Sequence, residues 1–234
     1  MPLGGLAAAA VSLPIGLICF RLRGPYFSLA TLAVAELVRL TALNWEQVTN
    51  GPVGFLITKL PGVNLLGWAV DWESKDPFYV CAALLAALAL AATRALKDSR
   101  LGAFLVAIRE DEDAAEAAGV GALRLKLTAL ALSTGLAGLA GGLFAYYHIS
   151  YYPSHPFSPT WTFDALLMTF IGGVGTLHGP VLGAVLYVVL KEYLALRWVD
   201  FHLLIFGALF IAIVLLLPGG LVQAVARARR LLAR

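Results

Sequence analysis

The sequence predicts an all-α integral membrane protein, a polytopic helical bundle of about seven membrane segments with a broken helix pair near residues 172–180. Three observations predict it. The 234 residues are 60% hydrophobic and 13% charged, with a mean hydropathy of +0.84, whereas soluble domains carry roughly 25% charge. Several apolar runs approach the about 20 residues that a helix needs to cross a bilayer. These runs are continuous, unlike the in–out alternation of about ten residues that marks a barrel strand.

The segments fall at residues 3–20, 27–43, 78–96, 127–149, a short 163–171, a short 181–190 with room to extend to 196, and 201–217. The first is not a signal peptide by pattern, because no basic stretch precedes it and Arg21 and Arg23 come after the apolar run. Residues 44–77 form the main connecting segment outside the membrane; Asn50-Gly51-Pro52 and Pro61-Gly62 mark turns, and its short apolar pieces suit interfacial elements. No repeat or low-complexity linker divides the chain, so residues 1–234 are expected to form a single transmembrane domain.

Orientation follows from the basic residues. Twelve of the 17 Lys and Arg fall on one side: Arg21, Arg23, Arg94, Lys97, Arg100, Arg109, Arg124, Lys126 and four in the basic tail 218–234. The other five are Arg39, Lys59, Lys75, Lys191 and Arg197. Loop 97–126 and the C-terminus are thereby placed in the cytoplasm and the N-terminus outside. All five tryptophans lie on the opposite, external side, where an amphipathic ring sits half-solvated at the interface.

Neither cysteine has metal-ligand spacing, and Cys19 and Cys81 fall at opposite ends of their spans, which argues against a disulfide. The four histidines do not cluster in sequence, so no metal site is expected. The net charge of +3 comes from basic residues at span ends and points to no nucleic-acid partner. The chain contains no Gly-Lys pair, which excludes a Walker A loop, and no cofactor is expected.

Charges at membrane depth are costly and tend to face other helices or water. Glu36 and Arg39, three residues apart, share a helical face. They read equally as a polar wall of a path or as an ion pair that locks helix packing. Asp164, at the start of the fifth segment, is expected to be interfacial and solvated. Gly175, Gly179 and Gly183 recur every four residues, as do Gly138 and Gly142, a spacing that lets membrane helices approach closely. Gly172, Gly173 and Gly175 interrupt an apolar stretch, and irregular backbone at that depth needs protein or a water-filled cavity around it.

The exception to this apolar pattern is the charged, helix-favouring stretch at residues 99–126. Leu101, Phe104, Leu105 and Ile108 recur at helical spacing; Arg109, Glu110, Asp111, Glu112 and Asp113 follow, then Ala114, Ala115 and Glu116 run into Gly119. Ala favours helix, and Gly119 and Gly121 suit helix ends. The pattern is helix, turn, helix on the cytoplasmic face. An amphipathic linker resting on lipid would read similarly, but five acids within seven residues are repelled by anionic headgroups.

The segment from Asp113-Ala114-Ala115 to Gly119 resembles the EAA loop of ABC-importer permeases, with Asp for the leading Glu, a second register at Glu116, and no later Ile-x-Leu-Pro end. Four further stretches resemble the permeases of branched-chain amino acid ABC importers, LivM type. They are Arg21-Leu-Arg-Gly-Pro-Tyr-Phe-Ser-Leu-Ala-Thr-Leu-Ala-x-Ala-Glu36, Leu43-Asn-Trp45 with Asn50-Gly-Pro52, Ala107-Ile-Arg-Glu-Asp-Glu112, and Gly172-Gly-Val-Gly-Thr-Leu-x-Gly-Pro-Val-Leu-Gly183. The resemblance covers roughly residues 15–222. Family members usually carry further helices before the Arg-x-Arg-Gly region, so the chain is expected to be N-terminally short.

The resemblance implies a multi-pass subunit of the bacterial inner membrane, working with a second permease subunit, cytoplasmic ABC ATPases and an external binding protein. The chain would do no bond chemistry itself. Arg109 to Gly119 would seat in the ATPase. Tyr26, Thr31, Glu36, Gly172, Gly173 and Gly175 are candidates for the path, and residues 44–77 and 146–161 for binding-protein docking. Branched-chain or other aliphatic amino acids are the expected cargo, with urea or short amides as the alternative. An ion-coupled secondary transporter would instead show internal repeats with broken helices in both halves.

Overall fold

The computed structural model describes residues 1–22, 24–56, 64–65, 68–69, 75–148, 150–151, 155–197, 205, 207–208, 211 and 220. Among the described residues, four helices are long and apolar enough to cross a membrane: α1 (Pro2–Cys19), α2 (Pro25–Asn44), α4 (Asp76–Lys97) and α7 (Ala122–Tyr147). At about 1.5 Å per residue they run from roughly 27 to 39 Å, against a hydrocarbon core of about 30 Å. Between them lie the single-turn α3 (Glu46–Thr49) and the short helices α5 (Arg100–Glu110) and α6 (Glu112–Ala117). Two further helices follow, α8 (Thr160–Gly172) and α9 (Gly179–Arg197). The expected segment 201–217 and the tail 218–234 lie outside the described residues apart from isolated positions.

The architecture is helical, with short two-residue ladders in the connections. β1 (Phe55–Leu56) pairs antiparallel with β4 (Ser150–Tyr151), and β2 (Asn64–Leu65) with β3 (Trp68–Ala69). Within the connecting segment 44–77, residues 57–63, 66–67 and 70–74 lie outside the described residues. The chain divides into two compact units, Met1–Phe157 and Ser158–Arg234.

The first unit is organised on an antiparallel α1–α7 pair. Gly5 of α1 lies against Leu139 and Gly135, and Gly16 against Leu130 and Leu127, so the N-terminal end of one helix meets the C-terminal half of the other. The pair closes most tightly at Gly138, where an added Cβ would stand 2.6 Å from both Ala8 Cβ and the Gly4 carbonyl oxygen. One polar link crosses it: Thr134 Oγ1 donates to Ser12 Oγ at 2.9 Å, and Ser12 is buried. Such interhelical bonds contribute about 0.6 kcal/mol in membrane proteins. By contrast, α2 has no buried residue.

In the second unit α8 and α9 form an antiparallel hairpin around Ile171, Tyr187 and Leu194, all buried. A Cβ at Gly183 would fall on the Met168 carbonyl oxygen, and one at Gly172 on the Gly179 carbonyl, so the helices meet backbone to backbone. With 13 residues, α8 is about 20 Å long, too short to cross the core alone.

Candidate functional site

The charged stretch folds into an elbow whose every end is locally specified. Ser99 caps α5, its Oγ accepting from the Gly102 N–H at 3.2 Å. Asp111 has extended backbone, ends α5 and caps α6, with Oδ1 accepting from the Ala114 N–H at 3.0 Å. Glu112 and Asp113 occupy the first turn of α6, where the helix dipole favours anions. At the other end Gly119 takes φ +86°. The Gly119 N–H donates to the Glu116 carbonyl at 2.9 Å and the Val120 N–H to the Ala115 carbonyl at 3.0 Å. These two bonds make a Schellman stop, with Val120 packed against the cluster containing Ala115, as that motif prefers. Gly121 then stands at the N-cap of α7.

Only a thin core holds the elbow: Ile108 of α5, Ala115 of α6 and Ala122 of α7 are buried together, with Leu125 beside them. Three small or compact side chains bring three helices to one point, which is why the Ala-rich sequence matters. Of the apolar face expected on α5, Ile108 is buried and Leu105 half-buried, while Leu101 and Phe104 remain exposed. The outward surface carries Arg109, Glu110, Asp111, Asp113, Ala114, Glu116 and Gly119, all exposed. Arg109 Nη2 and Glu110 Oε1 stand 2.5 Å apart, largely in solvent. Glu112 turns the other way, its Oε2 2.5 Å from Nζ of Lys126 on α7.

The path candidates of the first unit lie on α2. Arg39 grips Glu36 bidentately, Nε to Oε2 at 2.8 Å and Nη2 to Oε1 at 2.5 Å. Glu36 joins Leu40, Thr41, Asn44 and Trp45 along an open groove of about 720 Å³. Thr31 Oγ1 donates to the Ser28 carbonyl at 2.9 Å, and Tyr26 is exposed near the start of the helix. Thus Glu36 and Arg39 are brought together, while Tyr26 and Thr31 share their helix without joining that pair.

The remaining candidates belong to the second unit. Gly172 and Gly173 are buried at the end of α8, whereas Gly175 is exposed in the turn with φ +81° and open space beyond its Cα. Gly179 and Gly183 sit at the α8–α9 contact, and a Cβ on Gly179 would come 2.6 Å from the Gly173 carbonyl oxygen. In the first unit Gly142 approaches Met1, where a Cβ would lie 3.2 Å from Met1 Cα. Asp164 differs from the solvated residue expected: its side chain is 17% exposed, accepting from Tyr187 Oη at 2.5 Å and from Lys191 Nζ at 2.8 Å. The hairpin turn brings these residues together from 23 and 27 positions away.

Sequence reasoning missed the partners of several residues. Gly4, Gly5 and Gly16 complete the α1–α7 seam, but their spacing follows no four-residue repeat. The Glu112–Lys126 pair spans two helices and an intervening turn, a distance over which charge pattern alone carries no signal.

Comparison with known proteins places the chain in a family. Residues 1–214 match the family model described as "Branched-chain amino acid transport system / permease component". The chain is 32% identical over 242 aligned positions to the high-affinity branched-chain amino acid transport system permease protein LivM of Salmonella typhimurium, covering 94% of this chain and 56% of that protein. It is 31% identical to the Escherichia coli protein of the same name, with the same coverage. A probable branched-chain amino acid transport permease protein LivM of Methanocaldococcus jannaschii is 24% identical, over 86% of this chain and 61% of the relative. The chain therefore spans a little over half the length of these curated relatives. No solved structure matches. On the extent of the family match and the identity to its bacterial relatives, this chain belongs to the branched-chain amino acid transport system permease family.

Proposed function

We propose that this chain is a transmembrane permease subunit of an ATP-driven ABC importer and forms part of the path for branched-chain or other aliphatic amino acids. Its partners are a second permease subunit, cytoplasmic ABC ATPases and an external substrate-binding protein, with membrane lipid around the spans. Hydrolysis of ATP belongs to the ATPases, and this chain is not an enzyme. The observation that carries the reading is the elbow: a capped, acidic helix–turn–helix that buries three small contacts and presents Arg109 to Gly119 outward.

The chain works as one permease domain in the bacterial inner membrane, with seven segments and with the elbow and C-terminus in the cytoplasm. The basic bias around the elbow supports this orientation. Tyr26, Thr31 and Glu36 on α2 line the path, and so does Gly175 at the hairpin tip, with the buried Gly172 and Gly173 shaping the turn behind it. A helix without buried residues and a turn at the end of a short helix are both suited to facing water or a partner subunit. Residues 44–77 and 146–161 are docking ground for the binding protein. Selective cargo recognition is shared with that protein, and the names of the relatives favour branched-chain amino acids over urea or amides.

Affinity purification of the full chain from its native membrane tests the reading. An ABC ATPase should co-purify with the wild type and be lost from Gly119→Val, while the variant still inserts. A chain recovered alone, or an ATPase retained by the variant together with normal uptake, overturns it.

A further inference from the structure

On the importer reading, movement at the elbow must reach the helices that line the path, and one set of contacts in the first unit is placed to carry it. Lys126 leaves the first turns of α7 and meets two elements at once. Its Nζ stands 2.5 Å from Glu112 Oε2 on α6 and 5.9 Å from the centroid of the Phe20 ring, at the end of α1. Phe20 in turn stacks on Phe27 of α2, with centroids 5.3 Å apart and planes 4° from parallel. Glu112, Lys126, Phe20 and Phe27, with Leu22 and Gly24, line an open hollow of about 400 Å³ at this junction. The Glu112 and Lys126 side chains are 30% and 24% exposed, so the pair is more sheltered than the Arg109–Glu110 pair on the outer surface, at 71% and 68%.

The junction sits where movement would matter. α2 begins at Gly24, whose φ of +62° with Pro25 after it makes the α1–α2 turn. Beyond that turn α2 carries Tyr26, Thr31 and Glu36 and has no buried residue along its length. A helix so lightly held is directed by its ends. The Phe20–Phe27 stack fixes one end of α2 to α1, and Lys126 ties that stack to α6.

We infer that Lys126 is a positioning residue that links the ATPase-facing helix α6 to the α1–α2 turn, through Glu112 on one side and the Phe20–Phe27 stack on the other. Cation, carboxylate and ring form one contiguous network, and its two ends are the surface gripped from outside and the root of the path helix. A cation over an aromatic face within about 6 Å is attracted by the ring quadrupole, so displacement of Glu112 pulls on Lys126 and, through it, on the Phe20–Phe27 stack.

The test uses the reconstituted complex of full-length chain, partner permease, ATPases and binding protein in liposomes, with leucine as cargo. The readout is leucine taken up per ATP hydrolysed. Lys126→Met keeps the apolar stem and removes the charge, and Phe20→Leu keeps apolar bulk and removes the ring. Each should lower uptake per ATP by about fivefold or more, the scale of a coupling between sites, while the ATPases remain in the complex. Lys126→Arg retains the cation and should retain most of the ratio. A wild-type ratio in both Lys126→Met and Phe20→Leu overturns the inference, as does a loss of yield or thermal stability at an unchanged ratio. If Lys126→Met fails to assemble, Phe20→Leu decides alone. Failure of the importer reading is a separate result: the wild-type complex would then show no ATP-dependent uptake.

Discussion

At the scale of single residues, the α1–α7 seam turns on the absence of side chains. Gly138 has no room for a methyl group, since Ala8 and the Gly4 carbonyl stand where a Cβ would press at 2.6 Å. Gly141, three positions on in the same helix, has no heavy atom within 4 Å of an added Cβ. The pair provides its own control. Gly138→Leu should destabilise the purified complex by about 1–3 kcal/mol, the usual cost of overpacking, read as a lower melting temperature in detergent. Gly141→Leu should leave that temperature unchanged; equal effects of the two variants would show that the seam is not held as described. The sequence displayed Gly138 and Gly142 through their spacing, yet not the face they meet. Gly4, Gly5 and Gly16 are spaced one and eleven residues apart, so no period exposes them. Asp164 was misread for a related reason, because its partners Tyr187 and Lys191 arrive only when the hairpin closes.

At the scale of elements, the elbow was the most legible part of the chain. Its caps are short-range chemistry: Ser99 three residues before Gly102, Asp111 three before Ala114, and Gly119 at the left-handed stop. The buried side of α5 was less legible, since Leu101 and Phe104 share the helical spacing of Ile108 but stay exposed. Periodicity identifies an apolar face without saying which part of it the neighbouring helix covers. The cap of α6 gives a graded test. Asp111→Ala removes an N-cap bond worth about 1 kcal/mol, so amide exchange across α6 should quicken about fivefold, as measured by mass spectrometry of the intact chain in nanodiscs. Gly119→Val places a β-branched residue at φ +86° and should unravel the Schellman stop as well, quickening exchange of the amides at positions 119 and 120 further. Gly119→Asn, which accepts the left-handed region more readily, should fall between wild type and Val. Exchange unaltered in Asp111→Ala would mean that packing of Ala115 alone holds α6.

At the scale of the whole molecule, length sets what each helix can do. The 26 residues of α7 form an uninterrupted helix of about 39 Å, longer than the hydrocarbon core and so long enough to set its two ends on opposite faces of the membrane. The elbow precedes that helix and the ladder strand β4 follows it. The orientation we propose, which the basic bias supports, puts the elbow side in the cytoplasm. In contrast, α8 is about 20 Å long and ends in the turn holding Gly173, Val174 and Gly175. On the proposed orientation, a chain that enters from the external face at Thr160 reverses before it has crossed. Backbone at that depth must be satisfied by protein or by water, and on the importer reading water in the path supplies it. Val174 is exposed at the tip of this hairpin, which makes it the position to probe. In a chain with Cys19 and Cys81 replaced by Ser, Val174→Cys should react with a small charged thiol reagent and be slowed by leucine with the binding protein present. Glu116→Cys should react only in inside-out vesicles, and Lys75→Cys only from outside. Labelling of Glu116→Cys from outside would invert the orientation. A Val174→Cys thiol that no charged reagent reaches would place the tip in lipid or against protein, and would remove Gly172, Gly173 and Gly175 from the path.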